Sequence, residues 1–249
     1  RIRPEKFLEI EVPLPSVAEQ RRIVARIEEL AARIEEAREL RKRAEEEADL
    51  LLYVAAKKLR RELLKTETVK LLGDITAVTS GGTPDRSNPL YWSDGTIPWI
   101  KTAELLDKPI ISSEERITEA GIDNSSAKLF PIDTILIALY GQGQTRGRTG
   151  ILKIPATTNQ ACAAILPKTE IFESSYIQYW LRSLYYELRE RNRDGAQPNW
   201  NGNMIKKIEI ALPSLSEQRR IVAYLDALQS KLDALKRHQA ETAAELDAL

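Results

Sequence analysis

Apolar residues recur at alternating steps of three and four along two stretches of the chain, a spacing that predicts two long helices, each with a heptad seam. In the first, the seam runs Ile27, Leu30, Ile34, Ala37, Arg41, Ala44, Ala48, Leu51 and Ala55, with Arg41 as a polar interruption. The second runs Leu225, Leu228, Leu232, Leu235, Gln239, Thr242, Leu246 and Leu249, also with a polar break. Helix breakers avoid both stretches: none of the 12 prolines falls within 16–65 or 214–249, and all 11 glycines lie between Gly73 and Gly202. At 1.5 Å per residue the first helix would be roughly 75 Å long, far more than a globular domain needs. The middle of the chain has short apolar runs separated by turn residues, and it holds Trp92, Trp99, Trp180 and Trp200. This predicts a globular α+β domain with a mixed or antiparallel sheet.

The start of each helix belongs to an internal repeat. Residues 10–25, IEVPLPSVAEQRRIVA, return as residues 208–223, IEIALPSLSEQRRIVA. Each copy reads as a half-buried strand, a proline stop, a serine N-cap (Ser16, Ser214), and a glutamate three residues on (Glu19, Glu217), the pattern of a capping box. The heptad frame carries over as well, with Ile27 matching Leu225 and polar Arg41 matching polar Gln239. The first helix ends where the middle domain starts and the second begins where it ends. Their domain-proximal ends should therefore meet, and the helices should pack as an antiparallel coiled coil with Arg41 near Gln239. The expected boundaries are a strand ending an earlier segment at 1–15, a long helix at 16–65, the globular domain at 66–203, and a second strand and helix at 204–249.

Composition narrows the chemistry. Lys plus Arg and Asp plus Glu both total 37, so net charge provides no bulk attraction to nucleic acid or membrane. The middle domain alone, residues 68–200, holds 14 basic and 15 acidic residues, so it is not basic either. One cysteine, Cys162, permits no internal disulfide, which suits a reducing compartment, and cytoplasm is the expectation. The single histidine, His238, lies near the end of the second helix, so neither a histidine base nor a metal site is expected. Cys162 sits in an apolar strand-like run and reads as a buried small side chain. The run Asn88-Pro89-Leu90-Tyr91 is one residue away from an adenine-methyltransferase motif, but no glycine-rich cofactor loop accompanies it. The expectation is a non-catalytic chain.

The repeated Leu-Pro-Ser-x-x-Glu-Gln-Arg-Arg-Ile-Val before a heptad helix resembles the conserved region of the DNA-specificity subunits of type I restriction-modification enzymes. Val69 to Ile75, Gly81-Gly82-Thr83-Pro84, Asn88 to Trp92, Ile97 to Lys101, Asn159-Gln160-Ala161-Cys162 and Gly195 to Asn199 resemble segments of a target recognition domain in that family. The resemblance implies a half-length subunit, or the C-terminal half of one, carrying a single target recognition domain. It implies recognition of one half of a split sequence in double-stranded DNA, with docking to methyltransferase subunits and through them to restriction/translocase subunits. This subunit would hold no cofactor, while its partners would use S-adenosylmethionine, ATP and magnesium. A second copy of the chain, or a missing N-terminal recognition domain, would supply the other half. The alternative is a coiled-coil interaction module without DNA specificity; no membrane role is expected.

Paired donors and acceptors read base edges, so Arg, Lys, Asn and Gln on exposed loops are the candidates. The best segment is Tyr140 to Gly150, where glycines let the backbone approach a partner and Gln142, Gln144, Thr145, Arg146 and Arg148 supply polar chemistry; a plain hairpin tip is the alternative. Thr83, Arg86 and Lys101 form a second group, competing with a tight structural turn. Asn159 and Gln160, and Gln197 and Asn199, are further candidates that could instead serve the fold. Arg182, Arg189, Arg191 and Arg193 lie on or beyond an expected helix at 174–193 and read as a solvated face, beside a core stripe of Tyr176, Tyr179 and Trp180. Lys57, Lys58, Arg60, Arg61 and Lys65 at the end of the first helix complement its dipole and could also touch phosphates. For partner docking the repeat offers Glu19, Gln20, Arg21 and Arg22, with Glu217, Gln218, Arg219 and Arg220; surface salt bridging is the bland alternative.

Overall fold

The computed structural model describes residues 14–141, 145–190 and 200–247. The chain divides into two compact units, 50–231 and a second made of 1–49 with 232–249. In order, the elements are α1 (Val17–Thr66), β1 (Val69–Leu71), α2 (Leu72–Ile75), β2 (Val78–Ser80), β3 (Ile97–Ile100), β4 (Lys108–Ile110), β5 (Glu115–Ile117), α3 (Glu119–Asp123), β6 (Ile135–Ala138), β7 (Thr149–Leu152), β8 (Thr157–Thr158), β9 (Cys162–Ile165), α4 (Ser174–Ser183), α5 (Tyr185–Glu190), α6 (Gly202–Lys206), β10 (Glu209–Ala211) and α7 (Leu215–Asp247). The fold is α+β with both mixed and antiparallel pairing.

In the larger unit, a five-stranded sheet has the order β2-β9-β6-β7-β4, antiparallel except for the parallel β4–β7 pair. Every residue of β6, β7 and β9 is buried. That is why β6 and β9 read in sequence as continuous apolar runs rather than as alternation, while β7 begins on Thr149 and Gly150 and carries no such signal. Ile100, Leu105, Ile110, Phe130, Leu136, Leu152 and Cys162 pack in one cluster about this sheet. Edge strand β4 carries Pro109, whose missing N–H discourages further pairing. A three-stranded sheet, β5-β3-β8, joins β3 to β8 in parallel and packs Trp99, Ile117 and Ala127 together.

The two helix ends do meet. β1, just after α1, pairs antiparallel with β10, just before α7, in the register Val69↔Ala211, Lys70↔Ile210 and Leu71↔Glu209. Leu59 and Leu63 of α1 share a small void with Tyr176, Tyr179 and Trp180 of α4 and with Ile221 and Leu225 of α7. Within this unit the inward face of α1 is Leu52, Ala56 and Arg60, all under 9% exposed, whereas Leu51 is 55% exposed. The expected seam through Leu51 and Ala55 is therefore displaced by one position here, because α1 packs against the globular domain as well as a helix. The helix expected at 174–193 is broken after Ser183: the Ser183 hydroxyl bonds back to Trp180 O at 2.6 Å and Leu184 N closes a tighter turn onto Leu181 O. Tyr176, Tyr179 and Trp180 are core, as the stripe suggested.

In the smaller unit, Ile34, Ala37, Arg41 and Ala44 of α1 are half-buried among exposed neighbours. On α7, Leu232 is buried and Gln239 half-buried. This three-four shading is what a helix laid along the seam produces. Strand 10–12 of the first repeat lies outside the described residues.

Candidate nucleic-acid interface

Strand register gathers loops from distant parts of the sequence at one end of the five-stranded sheet. Ser80 at the end of β2 pairs with Ala163 in β9, and Ala138 at the end of β6 pairs with Cys162. Lys108 at the start of β4 pairs with Gly150 in β7. β3 and β8 run parallel, so Lys101 and Asn159 leave from the same side. The segments after β2, β3 and β6, and before β4, β7 and β9, therefore emerge together. Backbone bonds stitch them: Gly82 N donates to Thr158 O at 2.8 Å, Asn159 N to Ile100 O at 3.2 Å, Leu139 N to Ala161 O at 2.8 Å, and Trp200 N to Leu139 O at 3.4 Å. A Cβ on Gly81 would lie 2.0 Å from Thr158 O, so the approach of these two loops requires glycine there.

Thr83, Lys101, Thr145, Arg146, Arg148, Asn159 and Gln160 are thus brought to one surface, though they span 78 positions of sequence. Thr83 Oγ1 donates to Gln160 Oε1 at 2.5 Å. Asn159 Oδ1 accepts from Ala161 N at 3.1 Å, so part of its side chain is committed to the turn. Gln142, Gln144, Gln197 and Asn199 lie outside the described residues. Lys128, which carries no motif, also belongs here: its Nζ donates to Thr79 Oγ1 at 3.0 Å, beside Ser80. Only tertiary topology could have found it. Exposed Tyr140 opens the β6–β7 segment.

Two cations of this surface, Lys101 and Arg148, face carboxylates. Lys101 Nζ lies 2.8 Å from Glu114 and 3.0 Å from Glu115, which raises its pKa. Arg148 lies 3.9 Å from Asp107, which also accepts from Thr149 N and Thr149 Oγ1 at 2.9 Å. Arg86 pairs with Glu115, and its guanidinium stacks 3.7 Å from the Trp92 ring centroid and 4.5 Å from that of Trp99, while the residue stays exposed. These contacts hold Arg86 in a structural bracket and, with Lys101, keep the Glu115 carboxyl below its ordinary range.

The other expected basic sites divide similarly. Arg60, one of the cluster read as complementing the helix dipole and able also to touch phosphates, is 8% exposed and bonds Glu187 at 2.5 Å; Lys57 lies 3.2 Å from the same carboxylate. Arg182 donates to Gln229 at 3.0 Å within the fold rather than lying on a solvated face. In the second repeat, Gln218, expected at a partner surface, is fully buried: it donates to Pro213 O and Ile171 O and accepts from Glu173 N. Arg219 pairs with Glu173 at 2.7 Å. Glu19, Gln20, Arg21 and Arg22 are exposed or half-exposed. The serine caps form in both copies, Ser16 and Ser214 each accepting from N3 at 3.3 Å, but Glu19 and Glu217 bond Arg22 and Arg220 instead of closing the box. A full charge three residues on outcompetes a backbone N–H.

Cys162 is fully buried, and burial pushes its thiol up to about 12, far from a nucleophile's range. Asn88 to Tyr91 form a surface turn in which Asn88 caps Leu90 N. Among the described residues no group of His, Cys, Asp and Glu could hold a metal, and no helix is long and apolar enough to cross a membrane.

Residues 65–244 match the family model described as the type I restriction modification DNA specificity domain. The chain is 29% identical over 169 residues to the specificity subunit of the type I restriction enzyme EcoR124I/EcoR124II of Escherichia coli, covering 67% of this chain and 42% of the relative. It is 31% identical over 174 residues to the MjaIX specificity subunit of Methanocaldococcus jannaschii, covering 68% and 39%. The crystal structure of an HsdS subunit from Thermoanaerobacter tengcongensis superposes with a TM-score of 0.59 at 30% identity, covering 94% of this chain and 56% of that one. A chain from a structure of a type I R-M system, described for its complex assembly and conformational transition, gives 0.72 at 30% identity, covering 95% and 58%. The chain thus spans about two fifths of the length of these curated relatives. On the family match across residues 65–244, this chain belongs to the type I restriction-modification DNA specificity family.

Proposed function

We propose that the loop end of the five-stranded sheet reads one half of a bipartite sequence in double-stranded DNA, within a complex that contains methyltransferase and restriction/translocase subunits. The observation that carries this reading is the convergence of Thr83, Lys101, Arg146, Arg148, Asn159 and Gln160 on one surface through strand register. Hydroxyl, amide and guanidinium groups are the chemistry that base edges and phosphates require.

Lys101, Arg86 and Arg148 already face carboxylates, so phosphate affinity of the chain alone is low. The partner subunits supply the remaining neutralisation, along with S-adenosylmethionine, ATP and magnesium chemistry, in the cytoplasm. The first repeat provides the seat for a second recognition domain: Ile23 and Ile27 are 43% and 60% exposed, while their equivalents Ile221 and Leu225 are buried against α4 at 6% and 2%. An upstream domain of the same polypeptide or a second chain fills it. The test is selection from a randomised duplex library by this chain with its methyltransferase partner. Enrichment of one split sequence is expected; retention without sequence preference would overturn the reading.

A further inference from the structure

The loop before β7 is tied to the end of α1 by a row of rings and an ion pair. The tie begins on one face of α1, at Tyr53, Lys57 and Arg60. The Tyr53 ring meets Tyr186 edge-on at 4.7 Å, and Tyr186 meets Tyr185 edge-on at 5.2 Å. Tyr185 and Trp200 then close on Gly147, where an added Cβ would lie 3.2 Å from Tyr185 Cδ2 and 2.9 Å from Trp200. Gly147 has φ +88, and its N–H donates to Ala138 O at 2.9 Å, so this residue fixes how the segment re-enters β7. Alongside the rings, Glu187 accepts from Arg60 at 2.5 Å and faces Lys57 at 3.2 Å, while Lys57 Nζ donates to Tyr53 Oη at 3.1 Å.

We propose that Tyr53, Tyr185, Tyr186 and Glu187 are positioning residues, which lock Thr145–Arg148 in their reading geometry by tying the Gly147 turn to the end of α1. Two features separate this tie from ordinary core packing. Tyr186 is 44% exposed, so burial alone does not hold it; it sits between two rings. The Arg60 side chain is 10% and that of Glu187 28% exposed, and their 2.5 Å bond ties α5 to α1 at one point. Both devices act through contact geometry on the segment that re-enters β7.

This inference rests on the proposed DNA-reading role, and its first readout is independent of DNA. Amide exchange is measured on the full chain carrying Tyr186→Ala, Tyr186→Phe or Glu187→Gln, and library selection is run on each with the methyltransferase partner. In Tyr186→Ala the Gly147 and Arg148 amides should exchange about tenfold faster, while the Gly82 and Cys162 amides, on the same surface but off the tie, stay unchanged. Enrichment should fall several-fold with retention of random duplex at low salt unaltered, and Tyr186→Phe, which keeps the ring, should restore both. Glu187→Gln, which keeps the shape, should accelerate the same two amides and covers the case in which Tyr186→Ala unfolds. Unchanged Gly147 and Arg148 amides in both Tyr186→Ala and Glu187→Gln would overturn the tie. So would equal behaviour of Tyr186→Ala and Tyr186→Phe. If the parent enriches no sequence, the DNA reading fails while exchange still decides the tie.

Discussion

The two copies of the repeat, 10–25 and 208–223, share twelve of sixteen residues, yet the described part of the first, from Leu14 on, and its counterpart in the second occupy opposite environments. Their local chemistry is the same. Ser16 and Ser214 cap at 3.3 Å, Arg22 and Arg220 each grip the glutamate three residues before, and Gln20 and Gln218 donate to the carbonyls of Pro15 and Pro213. Their tertiary roles differ. Gln218 adds bonds to Ile171 and Glu173, and Leu225 is 2% exposed; Ile27, its counterpart, is 60% exposed. Local sequence starts the helix, and what lies opposite decides whether the helix is a core element or an open seat.

Substitution in matched pairs can break this comparison. The largest difference should come from Leu225→Ala, which removes a buried side chain and should cost about 3 kcal/mol in denaturant unfolding, against under about 0.5 kcal/mol for Ile27→Ala. Next is Gln218→Ala, which leaves Glu173 N and Ile171 O without their partner and should cost about 2 kcal/mol, whereas Gln20→Ala should be near neutral. Similar losses within either pair would mean that the first copy is covered in the isolated chain.

The serine caps sharpen the comparison from the other side. Ser16→Ala and Ser214→Ala should each cost about 1 kcal/mol of local helix stability, read by amide exchange in the first turn, because the cap is local in both copies. The smallest effect is in acid. Burial pushes the Glu187 carboxyl up, but the Arg60 bond and charge, with Lys57, outweigh it and hold it below its ordinary range. A depressed folded pKa means stability present above about pH 4.5 and lost as pH falls through the folded value, so α5 amides should lose protection on acidification before the β6 and β9 amides do.

Much of this was legible in sequence where the signal was local. Heptad spacing, glycine and proline exclusion, and the serine caps located both helices, and their order on either side of the middle domain anticipated that their ends meet. A continuous apolar run marked the strand around Cys162, which is β9. What remained hidden depends on contacts distant in sequence. Nothing in the segment around Lys128 shows that it reaches Thr79, and nothing around Arg86 shows that its guanidinium stacks on Trp92 and Trp99 and pairs with Glu115. Gln218 and Gln20 are identical residues in nearly identical segments, so no local rule could assign one to the core.

The central claim is that the loop end of the sheet reads bases, and library selection on matched variants tests it most directly. With the partner methyltransferase present, Gln160→Ala and Thr83→Val should each change the enriched bases within a single half of the split sequence, while Arg116→Ala, away from the loop end, should leave it intact. Identical enriched sequences from the parent and from both loop-end variants would contradict the account.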